Sequence, residues 1–333
     1  MTPSHAAASV PPAEPVPRLL NAWQHGFPLV ERPFDALGLP FGLSGAQVRA
    51  TLRQALARGE VSRVGAVFGV GAGGNGMLCA MQVPPHRLES VAALVNAEAG
   101  VNHNYAREHR LNLWFVATAP DARALQSIVA RIEQATALDV LRLPMRRAYR
   151  IDLGFDLFGA HAPHRAAAND APPVPPHLHA LAARLEDGLQ LVARPYAELG
   201  AAMGMDEPAV LACLRQWCAQ GTVRRLGVIL RHHEFGVTAN AMTVFDLPAD
   251  AVDAAGARLA AQPGVNLCYR RSPAPGWPYT LYCMVHGRER AAVRAAVEAA
   301  AHGAGLSGVP RELLFSSRRF KQTGGRYFTP TSP

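Results

Sequence analysis

Cysteine is scarce in this chain, which has five among 333 residues and no Cys-x-x-Cys spacing. An odd number of cysteines argues against a disulfide framework, and the missing spacing argues against the common structural zinc sites. Long apolar runs are also missing, since no stretch approaches the roughly 18 residues that a membrane span needs. Residues 1–18 lack the basic start and apolar centre of a signal peptide and are interpreted as a disordered leader. We therefore expect a cytoplasmic protein with no membrane contact and no metal site of its own.

Acidic residues are fewer than basic ones, with 25 Asp and Glu against 33 Lys and Arg, and the net charge is +8. A basic protein attracts polyanions, which here means either nucleic acid or a small ligand with many carboxylate or phosphate groups. Charge alone does not choose between these classes. The hydrophobic content of 49% is typical of a globular protein.

The chain contains an internal duplication. The stretch Gly26–Gly65 reappears without a gap as Gly188–Gly227, 162 positions further on. The match continues in Gly100-Val-Asn-His-Asn-Tyr105 against Gly264-Val-Asn-Leu-Cys-Tyr269. Two copies of one fold can hold a single ligand between related but unequal faces, so the differences between the copies are informative about function.

The first half of each copy predicts a winged helix-turn-helix. In the first copy Ser44 is a good N-cap, apolar residues follow at helical spacing, and Gly59 ends the helix. Asp206 and Gly221 take the same roles in the second copy. A short helix precedes each of these helices and a β-branched stretch follows it, which completes the outline.

The second half of each copy alternates predicted strands and helices in the ferredoxin-like order βαββαβ. The expected fold class is therefore α+β, a tandem repeat of winged helix and ferredoxin-like modules that form an internal pseudo-dimer. The predicted boundaries are a leader over 1–18, winged helices over 19–65 and 179–227, ferredoxin-like domains over 66–158 and 228–333, and a linker rich in Pro, Ala and His over 159–178.

This layout is that of the Lrp/AsnC transcription regulators, but separate motifs point beyond them. The segment Val101-Asn-His-Asn-Tyr105-Ala-Arg107, with Leu111-Asn-Leu-Trp-Phe115 after it, resembles the H-N-Y-x-R…N-L-W-F signature of siroheme decarboxylases. The second copy resembles the partner subunit of that family in Arg231-His-His-Glu-Phe-Gly236, Cys268-Tyr269-x-Arg271, Trp277-Pro-Tyr279 and Phe320-Lys321. The resemblance covers residues 26–158 and 185–328.

The resemblance implies a carboxy-lyase. Members of this family remove the carboxyl groups of two acetate side chains of siroheme and form 12,18-didecarboxysiroheme, which leads to haem d1 or, by another route, to haem. The fused pair of modules favours the haem d1 branch. No cofactor is implied, because the iron belongs to the siroheme substrate. Further oligomers or contacts with other enzymes of the pathway stay open.

Decarboxylation of an acetate on a pyrrole ring leaves electrons that need a sink. Protonation of the macrocycle carbon next to the side chain would supply one, and histidine can deliver that proton near neutral pH. His103 and Tyr105 alternate on a predicted strand, and the motif favours a catalytic role for both over a solvent-facing hairpin. His232 and His233 follow another predicted strand, where at most one of them faces a given pocket. Each could be an acid/base partner, an iron ligand or a polar residue in water. The second copy has Leu267 where the partner subunit commonly has histidine, so one of this pair is the more plausible complement to His103.

Substrate binding requires cations for the carboxylates and flat side chains for the macrocycle. Arginine binds carboxylates in bidentate fashion, and aromatic rings can flank a tetrapyrrole. The predicted substrate-binding residues are Arg107, Arg231, Arg271, Tyr269, Trp277, Tyr279 and Lys321.

Two other functions remain open at this point. A DNA-binding regulator would use the winged helices, but the exposed positions of the second copy carry fewer Arg and Gln residues than those of the first, which disfavours the reading of a palindrome. A tetrapyrrole-binding protein without catalysis is the other. A Gly-x-Gly-x-x-Gly match within residues 69–76 precedes a predicted strand instead of a helix, so we interpret it as a flexible hairpin near the ligand and not as a dinucleotide site.

Overall fold

The computed structural model describes residues 15–151, 154, 157–158 and 169–329. The helices are α1 (Pro15–Ala22), α2 (Pro33–Gly38), α3 (Gly45–Ala57), α4 (Leu88–Ala97), α5 (Ala122–Thr136), α6 (His179–Asp187), α7 (Pro195–Ala201), α8 (Glu207–Gln220), α9 (Val252–Ala260) and α10 (Arg290–Gly303). The strands are β1 (Val61–Phe68), β2 (Asn75–Met81), β3 (Val101–Arg107), β4 (Leu113–Ala119), β5 (Leu141–Ile151), β6 (Val223–Leu230), β7 (Ala239–Phe245), β8 (Val265–Arg271), β9 (Leu281–Gly287) and β10 (Arg311–Gln322).

The predicted leader and linker fall partly outside the described residues. Residues 15–18 of the leader form the start of α1, and the earlier ones are not described. Residues 159–168 of the linker are not described either. The rest of the linker packs on the protein, since the backbone N–H groups of Ala171 and Val174 donate to the carbonyls of Val70 and Ala72. No helix of the described residues combines the length and apolar character of a membrane span.

The helices of the two winged-helix units begin and end where capping chemistry predicts. Ser44 and Gln47 form a capping box at the start of α3. The Asp206 carboxylate accepts the Ala209 N–H at the start of α8, and Gly221 ends that helix with a φ of 83°. Both caps leave the apolar face of the helix free to pack inward.

The two winged-helix units share one hydrophobic core. Apolar side chains from both copies, including Phe34, Leu52, Tyr196 and Trp217, form a single buried cluster. Arginines at equivalent positions tie the units together: Arg53 donates to the Leu191 carbonyl at 2.6 Å, and Arg215 donates to the Leu29 carbonyl at 2.7 Å. The helices that would contact DNA in a regulator thus use these arginines for hydrogen bonds to the other winged-helix unit.

Strands β1 and β6 pair antiparallel across the two copies and form a two-stranded ribbon. The domain boundaries predicted at 65/66 and 227/228 fall inside these strands, because each strand runs on from its winged helix without a break. The pairing places Gly65 opposite Gly227, the same position in the two copies. The ribbon is therefore built on a twofold pseudo-symmetry.

The remaining eight strands form one closed sheet in the order β10-β3-β4-β2-β5-β8-β9-β7. Each ferredoxin-like domain contributes four neighbouring strands, and its two helices cover the outer face over a separate core. The antiparallel pairs β5 with β8 and β10 with β3 join the domains. On the other face, Trp114, Leu143, Met242 and Tyr282 from both domains pack together. The predicted α+β tandem fold is confirmed, with the added feature that the two sheets close on each other.

We expect Gly227→Ala to destabilise the protein, because the chain segment before α2 crosses the ribbon directly over this residue. An alanine Cβ at position 227 would lie 2.3 Å from the Gln24 carbonyl oxygen. Forcing an extra carbon into a packed site costs about 1–3 kcal/mol of the free energy of unfolding, which urea denaturation measures. Gly308→Ala is the matched control, since nothing lies within 4 Å of its Cβ. Equal stability of the two variants would show that the crossing is loose.

Candidate functional site

A cavity of about 450 Å³ lies between the ribbon and the closed sheet, and both modules line it. This volume is within the usual range of ligand pockets. The glycine-rich residues 69–76 form one side of it, next to the carboxyl-terminal residues 322–327. A Cβ at Gly73 would lie 2.5 Å from the Phe328 ring, so glycine is required for this close approach. The hairpin predicted near a ligand therefore borders the cavity.

Two arginines face the cavity from equivalent positions, Arg107 buried and Arg271 half-buried. Arg107, at the end of β3, donates to the Leu314 carbonyl of β10 at 2.8 Å. Arg271, at the end of β8, donates to the Leu143 carbonyl of β5 at 2.8 Å. Each thus bonds to the last strand of the other module. Burial lowers the pKa of both guanidinium groups, that of Arg107 to about 10, so both stay charged at neutral pH.

Aromatic residues accompany these cations. The Arg107 guanidinium carbon lies 5.9 Å from the centre of the Tyr105 ring, and that of Arg271 lies 5.4 Å from the centre of the Tyr269 ring. Both tyrosines line the cavity. The Tyr282 ring also lies 5.6 Å from the Arg271 guanidinium carbon, so both cations pack against aromatic rings in the wall of the cavity.

The rest of the cavity is also cationic. Three further arginines line it, namely Arg63, Arg225 and Arg231. Glu186 is the one acid among the described lining residues, and its carboxylate accepts the backbone N–H groups of Tyr327 at 2.6 Å and Phe328 at 3.2 Å. Five arginines therefore face one carboxylate that is already occupied, which suits a ligand with several negative charges.

Three histidines line the same cavity. His103 lies on β3, and its Nδ1 is 2.5 Å from the Asn102 Oδ1. His232 follows β6, and its ring centre is 5.0 Å from that of His286 on β9. Burial lowers the pKa of His103 and His232 to about 4 and that of His286 well below 6.5. All three side chains are therefore neutral at neutral pH in the ligand-free cavity.

Comparison with known proteins identifies the family. Residues 17–61 and 179–224 match the siroheme decarboxylase NirDL-like HTH domain, and residues 70–150 and 234–321 match the AsnC-like ligand binding domain. The siroheme decarboxylase NirDL subunit of Paracoccus pantotrophus is 46% identical over 92% of this chain and 95% of that one. The siroheme decarboxylase of Hydrogenobacter thermophilus is 30% identical over 94% of both chains. A crystal structure of the siroheme decarboxylase NirDL with an iron-uroporphyrin III analogue superimposes with a TM-score of 0.66 and 27% identity, over 95% of each chain.

This chain belongs to the siroheme decarboxylase family. The resemblance drawn from the H-N-Y-x-R and partner-subunit motifs is confirmed, and so is the expectation of a carboxy-lyase. The match to an AsnC-like domain also confirms the layout shared with the Lrp/AsnC regulators.

Most of the site residues predicted for a siroheme decarboxylase line the cavity. They are His103, Tyr105, Arg107, Arg231, His232, Tyr269 and Arg271. Of the adjacent pair, His232 lines the cavity and His233 does not. The pair follows β6 as expected, but His232–Phe235 is a 3-10 turn, so this turn and not strand alternation separates the two side chains.

Four predicted site residues do not line the cavity. They are His233, Trp277, Tyr279 and Lys321. Trp277 is only 1% exposed and its indole N–H donates to the Tyr282 hydroxyl, so it belongs to the core shared by the two domains. The Tyr279 hydroxyl donates to Glu312 at 2.9 Å. The Lys321 ammonium donates to the Asn96 and Glu98 carbonyls at the end of α4. The polar groups of these three side chains thus have partners within the protein.

Several cavity residues were not selected from the sequence of this siroheme decarboxylase. They include Asn102, His286, Arg63, Arg225 and Glu186. Arg63 and Arg225 occupy the same position in the two copies, and this repetition could have indicated that both belong to the site. Asn102 and His286 required the register of neighbouring strands, which the sequence does not contain.

The neutral histidines of this siroheme decarboxylase predict an acid-labile fold. An unfolded histidine takes up a proton near pH 6.5, whereas folded His103 and His232 stay neutral down to about pH 4. Their contribution to stability is therefore present above about pH 6.5 and is lost as the pH falls from about 6.5 towards 4. We expect the urea midpoint to fall over this range less steeply in His103→Gln than in the unsubstituted protein. Parallel profiles would contradict the assignment of His103 as a buried neutral group.

Proposed function

We propose that this chain converts siroheme to 12,18-didecarboxysiroheme by removing two acetate carboxyl groups, on the route to haem d1 or by the alternative route to haem. The observation that carries the proposal is the cationic cavity between the two modules, in a chain of the siroheme decarboxylase family. The related NirDL crystal structure holds an iron-uroporphyrin III analogue, which is also a tetrapyrrole.

The charge of the cavity supports a substrate with many carboxylates. The buried Nε atoms of Arg63, Arg107, Arg231 and Arg271 have no hydrogen-bond partner within the described protein. An unsatisfied buried donor on a charged group is costly, and a carboxylate of the substrate would satisfy it. The arginines come from both modules, so the substrate would bind across the pseudo-dimer.

The reaction breaks the bond between the acetate methylene and its carboxyl group. Carbon dioxide leaves, the electron pair of that bond passes into the conjugated macrocycle and returns to the methylene carbon, and one proton completes the methyl group. His103 is the first candidate to deliver this proton, and His232 and His286 are candidates for the second acetate. The negative charges of the bound substrate would raise the low pKa values of these histidines towards the range where they carry a proton.

No cofactor is proposed, and the iron enters as part of siroheme. The reaction is proposed to take place in the cytoplasm, a reducing compartment in which the five cysteines would stay as free thiols. The pseudo-dimer is the assembly proposed, with neither nucleic acid nor membrane as a partner.

A regulator of transcription is not favoured. Arg53 and Arg215 are used between the two winged helices, and the helices share one core. We expect only weak, sequence-independent binding to duplex DNA.

The deciding experiment is anaerobic incubation with siroheme followed by mass spectrometry. Loss of one and then two CO2 units supports the enzyme, and an unchanged mass with a bound chromophore would support a carrier.

Replacing either arginine at the paired positions should weaken substrate binding. A contact between a guanidinium and a carboxylate contributes about 1.5–3 kcal/mol, so Arg107→Ala or Arg271→Ala should raise the Kd for siroheme by roughly ten- to a hundredfold. Titration of the siroheme absorption spectrum measures this. Arg123→Ala, on the exposed face of α5, is the control and should bind normally. Unchanged affinity in both cavity variants would place the substrate elsewhere.

Replacing the cavity histidines should separate binding from chemistry. His103→Gln should keep the bound chromophore and lose turnover by roughly 10²–10⁴, the usual contribution of a general acid. If different histidines serve the two acetates, His232→Gln or His286→Gln should accumulate a monodecarboxylated product. If the macrocycle rebinds in a second orientation, His103→Gln alone should stop both steps. Product masses over time decide between these schemes, and normal rates in all three variants would remove histidine from the mechanism.

A further inference from the structure

The hydrogen bonds around Thr118 fix the orientation of the Asn102 side chain. The backbone N–H of Arg326 donates to the Thr118 hydroxyl at 2.8 Å, and the hydroxyl donates its one proton to the Gly100 carbonyl at 3.4 Å. A hydroxyl that has given its proton to a carbonyl can only accept further bonds. With the Asn102 nitrogen facing Thr118 at 3.1 Å, the hydroxyl accepts from two N–H groups and keeps its proton for Gly100, so all three contacts are used.

This orientation sets the tautomer of His103. The Asn102 oxygen is left to face the His103 Nδ1 at 2.5 Å, and an amide oxygen only accepts hydrogen bonds. The proton of the neutral His103 ring must therefore be on Nδ1. Nε2 is then the nitrogen that carries the lone pair.

An independent set of contacts gives His286 the same tautomer. The Asn266 oxygen accepts the backbone N–H of His286 at 3.2 Å, and a backbone N–H can only donate. The same oxygen lies 3.1 Å from the His286 Nδ1. This ring nitrogen must also donate, so the lone pair of neutral His286 is on Nε2.

The two asparagines occupy the same position in the duplicate. Tyr105 pairs with Trp114 and Tyr269 pairs with Tyr282, so the registers of the two hairpins match. In that register Asn102 corresponds to Asn266, and Thr118 corresponds to His286. The first module thus has Asn and Thr with its histidine at position 103, whereas the second has Asn and His with Leu267 in place of that histidine. The asparagine is constant while the histidine moves to the neighbouring strand.

We propose that Asn102 and Asn266 are positioning residues that hold His103 and His286 in the Nδ1–H tautomer, so that each histidine takes up and releases its catalytic proton through Nε2. The proposal rests on the proposed decarboxylase function for the proton transfer and on the hydrogen bonds alone for the tautomers. In the reaction, solvent loads a proton onto Nε2, the carboxyl carbon leaves as CO2, and the Nε2 proton moves to the methylene carbon. The other ring proton stays on Nδ1 throughout, donated to the asparagine oxygen.

The tautomers are measured without substrate. Long-range ¹H–¹⁵N correlation spectra of protein labelled with ¹⁵N-histidine distinguish the two neutral tautomers, and His103→Gln and His286→Gln assign the signals. We expect the Nδ1–H pattern at both sites. Asn102→Leu should shift His103 to a mixture of tautomers and leave His286 unchanged, and Asn266→Leu should do the reverse. Each variant is thus the control for the other. An Nε2–H pattern at either site in the unsubstituted protein would overturn the proposal.

Two further variants cover the case in which leucine does not fold. Thr118→Val keeps Asn102 but removes the hydroxyl that orients it, and it should also give mixed tautomers at His103. Asn102→Asp keeps an acceptor facing Nδ1 and should retain the Nδ1–H pattern. If the His103 pattern stays pure in Thr118→Val, then Thr118 does not orient Asn102, and the assignment of the His103 tautomer is overturned.

The activity assay tests the proton transfer separately. Asn102→Leu should lower kcat by roughly tenfold or more while KM stays within about twofold, because a histidine in the wrong tautomer still sits in an intact binding site. Asn102→Asp should recover part of kcat. A normal kcat in a protein with mixed tautomers would overturn the role in proton transfer. If the unsubstituted protein shows both Nδ1–H patterns but does not decarboxylate siroheme, then the proposed function fails and the tautomer assignment stands.

Discussion

The pairing of strands across the two modules is the constraint on which the rest of this structure depends. β5 pairs with β8, β10 with β3, and β1 with β6, so neither module completes its own sheet. The cavity lies where these pairs meet, and its two best placed arginines bond to the last strand of the opposite module. The cavity is therefore a property of the assembled pair, because residues of both modules line it.

Duplication supplies the symmetry of this site, and divergence supplies its chemistry. The pairs Arg107 with Arg271, Arg63 with Arg225, and Tyr105 with Tyr269 recur at matching positions, which places positive charge on both sides of the cavity. The histidines do not recur at matching positions. Siroheme is itself unsymmetrical in its side chains, and two different acetates must react under the proposed function. A cavity in which paired arginines are placed symmetrically and the histidines are not fits such a substrate.

Residues on a single strand could be predicted well from the sequence. His103, Tyr105 and Arg107 alternate on β3, and a period of two was enough to place them together. The sequence did not indicate which positions of separate strands lie side by side, so His286 and the asparagines were not recognised as parts of the site.

Trp277 and Tyr279 were predicted to flank a macrocycle because of their flat rings. Neither ring is among the residues that line the cavity, and the polar groups bond to Tyr282 and Glu312, which periodicity does not reveal. His232–Phe235 forms a 3-10 turn that ends at Gly236 with a φ of 80°, and the sequence did not indicate which of His232 and His233 faces the cavity.

The reciprocal use of strand edges has a consequence for the folding of the chain. A module that folded alone would expose the edges of β3, β5, β8 or β10, and open edges are templates for aggregation. Its arginine at position 107 or 271 would also lose the carbonyl that it bonds to. Association of the two modules soon after synthesis would cover these edges. The covalent connection favours this step because it raises the effective concentration of one module near the other. Fusion of the copies would therefore protect the newly made chain against aggregation, in addition to fixing how the two modules pair.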